Sequence, residues 1–249
     1  MLRRLVRVAA PVIALSAAVA VSSAPAANAV IPLKNQAMIT KAKGGYLFRA
    51  GQQDSHLVIT RVTGGVRFAD SGTARWKSLP ASCHRQSVRT GIAAVCHVPG
   101  TVSRSHPMTL QLWTRLGNDY IDGRSLSAAF KLSVLADAGN DTVYGGAGND
   151  FVNGAQNNDR VYGGAGNDWI RTGIGNDKLW GGSGNDKLVG QDGRDRLYGG
   201  DGADRLYGSN GHDVLYGDPG SDLLNCGGGA DVAHRDRADR RTRSCESVS

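Results

Sequence analysis

From residue 143 onward one aliphatic side chain returns every nine positions: Val143, Val152, Val161, Ile170, Leu179, Leu188, Leu197, Leu206, Leu215 and Leu224, with Ala233 closing the series. Two residues before each stands an aspartate: Asp141, Asp150, Asp159, Asp168, Asp177, Asp186, Asp195, Asp204, Asp213, Asp222 and Asp231. Two residues before each aspartate stands glycine, from Gly139 to Gly229, with Asn157 the one substitute. Asparagine is the non-glycine residue that best tolerates a left-handed backbone. The pattern predicts a turn such as 145–150 followed by a short strand such as 151–153, in which only the middle residue points inward.

One aliphatic in nine residues makes no core by itself, and glycine-rich turns are costly to order. Stacking successive strands lets these side chains form a continuous column, so the pattern predicts an all-β solenoid over residues 137–233. A second column stands one position after the aliphatic at a spacing of 18: Tyr144, Tyr162, Trp180, Tyr198 and Tyr216. It reads as a stripe of β-favouring aromatics that stabilise neighbouring strands, or else as a binding platform. Ahead of the repeats, residues 56–70 read as two strands joined at Gly64-Gly65. Leu116-Gly117-Asn118-Asp119 is an out-of-register repeat, 22 rather than 18 residues before Asp141, which implies an enlarged first coil.

Composition agrees with a repeat protein. Of 249 residues 35 are glycine, about twice the average usage of roughly 7%. Glu246 is the sole glutamate, so long amphipathic helices are not expected. The net charge of +7 hides an asymmetry, because residues 137–232 balance at −8 while residues 30–136 carry +10. An acidic repeat unit excludes a polyanion as its partner, and no nucleic acid is expected. Residues 1–29 combine Arg3, Arg4 and Arg7 with an apolar stretch over 8–21 and the small-residue site Ala27-Asn28-Ala29. That is the pattern of a secretory signal peptide, which predicts export and a mature chain from Val30, with no transmembrane segment.

Four cysteines in an exported chain read as two disulfides. Three pairings are open, of which the sequence-local one joins Cys83 to Cys96 and Cys226 to Cys245. The chain contains no H-E-x-x-H and no G-x-S-x-G, its six histidines form no i, i+4 pair, and one glutamate makes no Glu-based dyad. The expectation is a protein that is not an enzyme.

Gly163-Gly164-Ala165-Gly166-Asn167-Asp168-Trp169-Ile170-Arg171 and Gly181-Gly182-Ser183-Gly184-Asn185-Asp186-Lys187-Leu188-Val189 follow G-G-x-G-x-D-x-U-x. On these residues the chain resembles the hemolysin-type calcium-binding (RTX) repeat family. The resemblance implies a right-handed parallel β-roll with two nonapeptides per coil, so that aspartates 18 apart stack on one edge. It also implies calcium between successive turns, held by the eleven aspartates and by backbone carbonyls of the glycine turns. The turns led by Gly145, Gly163, Gly181 and Gly199 match best. Departures at Gln156-Asn157-Asn158, Thr172, Gln191, Ser209 and Asp218-Pro219 put some positions in question.

Stacked strands lie about 4.8 Å apart, so neighbouring carboxylates repel by roughly 3 kcal/mol at an effective dielectric of 20, which calls for a cation. Calcium takes 6 to 8 hard oxygen ligands and suits such a set better than magnesium. One edge offers five gaps between carboxylates and the other four, for at most about nine ions.

Residues 30–136 resemble the front segments of secreted bacterial calcium-binding proteins of this family and are expected to form a β-rich N-terminal cap. Residues 234–249 are expected to be a disulfide-held capping tail. The expected function is that of a secreted, monomeric calcium-binding protein. The alternative is a cell-surface adhesion or glycan-binding module that uses the aromatic stripe.

Overall fold

The computed structural model describes residues 36–50, 53–73, 75–88, 92–239 and 241–249, and the signal segment 1–29 lies outside the described residues. Every regular element among them is a β-strand, and the strands fall into two sheets. In the repeats, Phe151–Gln156, Trp169–Ile174, Lys187–Gly193, Arg205–Gly211 and Leu223–Gly228 stack in parallel in one sheet. Thr142–Tyr144, Arg160–Ala165, Lys178–Ser183, Arg196–Asp201, Val214–Tyr216 and Val232–His234 stack in parallel in the other. Partners are 18 residues apart, as in Val152 with Ile170 and Val161 with Leu179. Successive nonapeptides therefore alternate between the sheets, and two of them close one coil of a β-roll.

All eleven residues from Val143 to Ala233 in the aliphatic column are fully buried. Burying such a side chain is worth about 1.5–3 kcal/mol, and only the stacked coils supply the neighbours that bury it. Most strands are longer than the three residues expected. Phe151–Gln156 buries Val152 and also Gly154, because the first glycine of the next turn still points inward. With no side chain there, the backbone carries the strand on to the corner.

The front segment feeds the same two sheets. Gly45–Arg49 pairs in parallel with Met108–Trp113, and His56–Val62 pairs in parallel with Tyr120–Asp122. The hairpin predicted over 56–70 is present as His56–Val62 with Gly65–Asp70, turning through Thr63 and Gly64. A second hairpin, Gln36–Ala42 with Gly45–Arg49, repeats it 20 residues earlier. The two share the sequence I-T-[KR]-x-x-G-G-x-x-F at Ile39 and at Ile59, and their phenylalanines, Phe48 and Phe68, stack at 6.1 Å. The enlarged coil is real: Thr142 pairs with Tyr120, 22 residues away, and Phe130 with Met108 at the same spacing. The two disulfides join Cys83 to Cys96 and Cys226 to Cys245. The tail adds Arg241–Arg243 to one sheet and Ser247–Val248 to the other.

Candidate metal centre

Each nonapeptide places its aspartate at a corner between the two sheets, and stacking aligns those corners into two columns. Asp141, Asp159, Asp177, Asp195, Asp213 and Asp231 form one; Asp150, Asp168, Asp186, Asp204 and Asp222 form the other. All eleven are at most 3% exposed. Within each column the Oδ1 of one carboxylate accepts the backbone N–H of the aspartate 18 residues earlier, at 2.7–2.9 Å. This hydrogen bond was not evident from spacing, and it partly offsets the like-charge repulsion expected between neighbours.

The second oxygen is left bare. In Asp141, Asp159, Asp168, Asp177, Asp186, Asp195, Asp204, Asp213, Asp222 and Asp231 the Oδ2 is buried and has no hydrogen-bond partner. Asp150 alone satisfies it, through the N–H of Gly146 at 2.8 Å. Buried polar oxygens are almost always paired in native proteins, so a column of orphans calls for a ligand.

Burial is the main cause that raises the ten carboxyls from Asp141 to Asp222, against the lowering effect of the backbone N–H each accepts. Asp141, Asp159 and Asp168 are pushed up to about 8, and Asp195 and Asp222 to about 7. Asp150, Asp186, Asp204 and Asp213 rise to about 6. Asp177 is raised for the same reason, with the N–H of Asp159 holding it down.

The leading glycines Gly163, Gly181 and Gly199 show why no side chain fits at the first turn position. A Cβ on Gly163 would lie 2.4 Å from Asp168 Oδ2 and 2.5 Å from the carbonyl oxygen of Gly181. On Gly181 it would meet Asp186 Oδ2 and Gly199 O, each at 2.4 Å, and on Gly199 it would meet Asp204 Oδ2 and Gly217 O, each at 2.5 Å. Gly145 repeats the pattern with Asp150 Oδ2 at 2.8 Å and Gly163 O at 1.9 Å. A carboxylate oxygen of one turn and a carbonyl oxygen of the next thus converge beside each of these glycines. Among the described residues no three acidic, histidine or cysteine side chains meet at one point. A metal shell here draws on backbone carbonyls as well as carboxylates, which is hard-oxygen chemistry suited to calcium.

The turns that depart from consensus keep the ladder. Ala155, Asn157, Gln191, Ser209 and Asp218 adopt φ between 63° and 89° where glycine is usual, and the aspartates that follow them hold their backbone hydrogen bonds. Thr172 stands at a first-glycine position fully buried, with its hydroxyl donating to Gly190 O at 3.3 Å.

Three features of the site lie beyond the eleven aspartates expected as ligands. Asp119, buried and with its own orphaned Oδ2, extends one column upward: its N–H donates to Asp141 Oδ1 at 2.7 Å, and its Oδ1 accepts from Ser55 at 2.6 Å. Asp239 extends the other column downward into the tail. Beside the carboxylates runs an asparagine ladder, in which Asn140 donates its N–H to Asn118 Oδ1 and Asn158, Asn167, Asn176 and Asn185 each donate to the asparagine 18 before. Its signal was in plain view, since an asparagine directly precedes each of the seven ladder aspartates from Asp119 to Asp186.

The aromatic column is longer than the five predicted rings. Tyr144, Tyr162, Trp180, Tyr198 and Tyr216 stack at 4.3–5.4 Å with their planes within 5° of parallel. Tyr120 and His56 extend it at one end and His234 at the other. Each inner ring presents its faces to its neighbours and only an edge to solvent, the arrangement expected of cross-strand stabilisation.

Comparison with known protein families matches the RTX calcium-binding nonapeptide repeat in four copies, at residues 133–161, 153–188, 162–197 and 198–233. Comparison with curated proteins finds no match.

Proposed function

Because residues 133–233 are RTX calcium-binding nonapeptide repeats, we propose that this protein is exported and completes its β-roll around calcium outside the cell, acting by binding and not by catalysis. The observation that carries this reading is the double column of buried aspartates whose Oδ2 atoms lack any partner. Calcium supplies the positive charge and the high coordination number that such oxygens lack. Asp150 through Asp222 on one edge, and Asp141 through Asp231 on the other, would hold the ions with carbonyls of the glycine turns. The first glycines keep that space open, and the aliphatic column fixes the spacing of the carboxylates. The closed ring faces of the aromatic stripe lend no support to a glycan platform.

The test is a calcium titration of chelator-treated protein followed by far-ultraviolet circular dichroism, with magnesium as control. A gain of β signal with calcium alone is expected, and Gly163→Ala should need more calcium, since its Cβ would enter the space between Asp168 Oδ2 and Gly181 O. A spectrum already complete in chelator, together with no calorimetric binding, would refute the reading.

A further inference from the structure

Asp239 lies past the last nonapeptide, 17 residues after Asp222 where the ladder spacing is 18. In the fold it is 8% exposed and takes the place of the next ladder member: its Oδ1 accepts the N–H of Asp222 at 3.2 Å. Its Oδ2 accepts the N–H of Asp236 at 2.9 Å and turns toward Gly217. A Cβ on Gly217 would lie 2.9 Å from Asp222 Oδ2 and 3.0 Å from Asp239 Oδ2, so the two carboxylates converge on one point. Asp222 is fully buried and its Oδ2 has no partner. Among the described residues no cationic side chain forms an ion pair with either carboxylate.

The other column ends differently: the residue level with Asp231 in the next strand is Glu246, which is exposed, and among the described residues no carboxylate accepts the N–H of Asp231. The tail is held where Asp239 can reach this point by two attachments. Arg241–Arg243 pairs with Leu223–Asn225, and Cys245 is bonded to Cys226 on that same strand. The register slip of one residue is absorbed in the turn over 235–239, where Asp236 Oδ1 accepts the N–H of Ala238 at 2.6 Å.

We propose that Asp222 and Asp239 form a divalent-cation site at the end of the repeats, closed by the tail and locked by the Cys226–Cys245 disulfide. The proposal rests on the calcium reading above, and it makes the tail a ligand-bearing part of the roll. Its chemistry is that of the columns: two buried carboxylates, one of them unpaired, with a glycine between them leaving room for carbonyl oxygen.

Native mass spectrometry of the whole protein in calcium counts the ions directly. Asp239→Asn should hold one ion fewer than the unaltered protein, and Asp236→Asn, whose side chain caps the turn only, should hold the full number. Reduction by dithiothreitol oxidises the reagent to its cyclic disulfide as Cys226 and Cys245 become thiols. It should remove that same ion from the unaltered protein and none further from Asp239→Asn. An unchanged count in Asp239→Asn would overturn the proposal while leaving the ladder intact, and absence of bound calcium in the unaltered protein would overturn both readings together. Should Asp239→Asn fail to fold, the unaltered protein still decides. Saturating calcium should slow reduction of Cys226–Cys245 roughly ten-fold or more while leaving Cys83–Cys96 unchanged, and equal rates with and without calcium at Cys226–Cys245 would refute the site.

Discussion

A carboxylate that is buried, stacked above its like and given one hydrogen bond holds its proton into the neutral range. Nine of the eleven ladder aspartates rise from an ordinary 3.8 to between about 6 and about 8, with burial the largest cause. A group raised in the folded state contributes stability that is complete below its unfolded value and is lost as pH climbs through the folded one. Metal-free protein is therefore expected to melt at a higher temperature at pH 5 than at pH 8, the loss setting in above the unfolded value and running on to about pH 8. Calcium should reverse the trend, because at pH 8 it competes with far fewer protons than at pH 5, and its apparent affinity should fall as pH drops through the same window. Thermal unfolding in chelator and in calcium at pH 5, 6.5 and 8 checks both signs, and a metal-free midpoint that rises with pH would contradict the burial argument. At this scale the eleven aspartates of the nine-residue period were legible from spacing, whereas Asp119 and Asp239, 22 and 17 residues from their ladder neighbours, fall outside it. The ladder's hydrogen bonds were not legible, because the Oδ1 acceptor partner is a backbone N–H whose direction depends on how the corner is folded.

At the scale of the strand, periodicity was most informative where every coil is alike. The aliphatic and aromatic columns follow from residues 18 apart, and the pairing of Tyr162 with Trp180 is the register that spacing requires. Strand length was underestimated because the first glycine was read as turn, although it lies inward on the extended strand. The front hairpin at Gln36–Ala42 was missed for a different reason: its repeat of I-T-[KR]-x-x-G-G-x-x-F is short, occurs only twice and sits apart from the nonapeptide period. Parallel stacking makes the aromatic column a local source of stability rather than a free surface. Trp180 touches two rings, Tyr162 at 4.3 Å and Tyr198 at 5.4 Å, and stacked aromatic pairs are worth about 0.5–1.5 kcal/mol each beyond the area they bury. Trp180→Ala is expected to destabilise the calcium-loaded protein by about 1–3 kcal/mol in chemical denaturation while leaving the number of bound ions unchanged. A loss of calcium with no loss of stability would instead give the ring a part in the metal site.

Across the whole molecule two kinds of stability meet. The front packs Phe48, Phe68, Trp76, Leu57 and Ile59 in a conventional core and adds the Cys83–Cys96 disulfide. The roll buries one aliphatic per nine residues and carries the orphaned carboxylates, so its coils depend on their neighbours and on whatever neutralises those oxygens. The sheets nevertheless run through both parts without a break, since Gly45–Arg49 and His56–Val62 are the strands on which the first coil stacks. The front is thus a template that holds the first strands of each sheet in register, and the tail closes the last coil from the other side. In chelator, amides over residues 137–233 should exchange within the shortest labelling times while the front strands stay protected. Calcium should then extend protection coil by coil from the front, because each new coil needs a formed neighbour to bury its aliphatic residue. Hydrogen exchange read by mass spectrometry at stepped calcium concentrations follows this directly. Protection that appeared in all coils at one calcium concentration would show the roll to be a single cooperative unit, and protection already complete in chelator would show that its hydrophobic column suffices without metal.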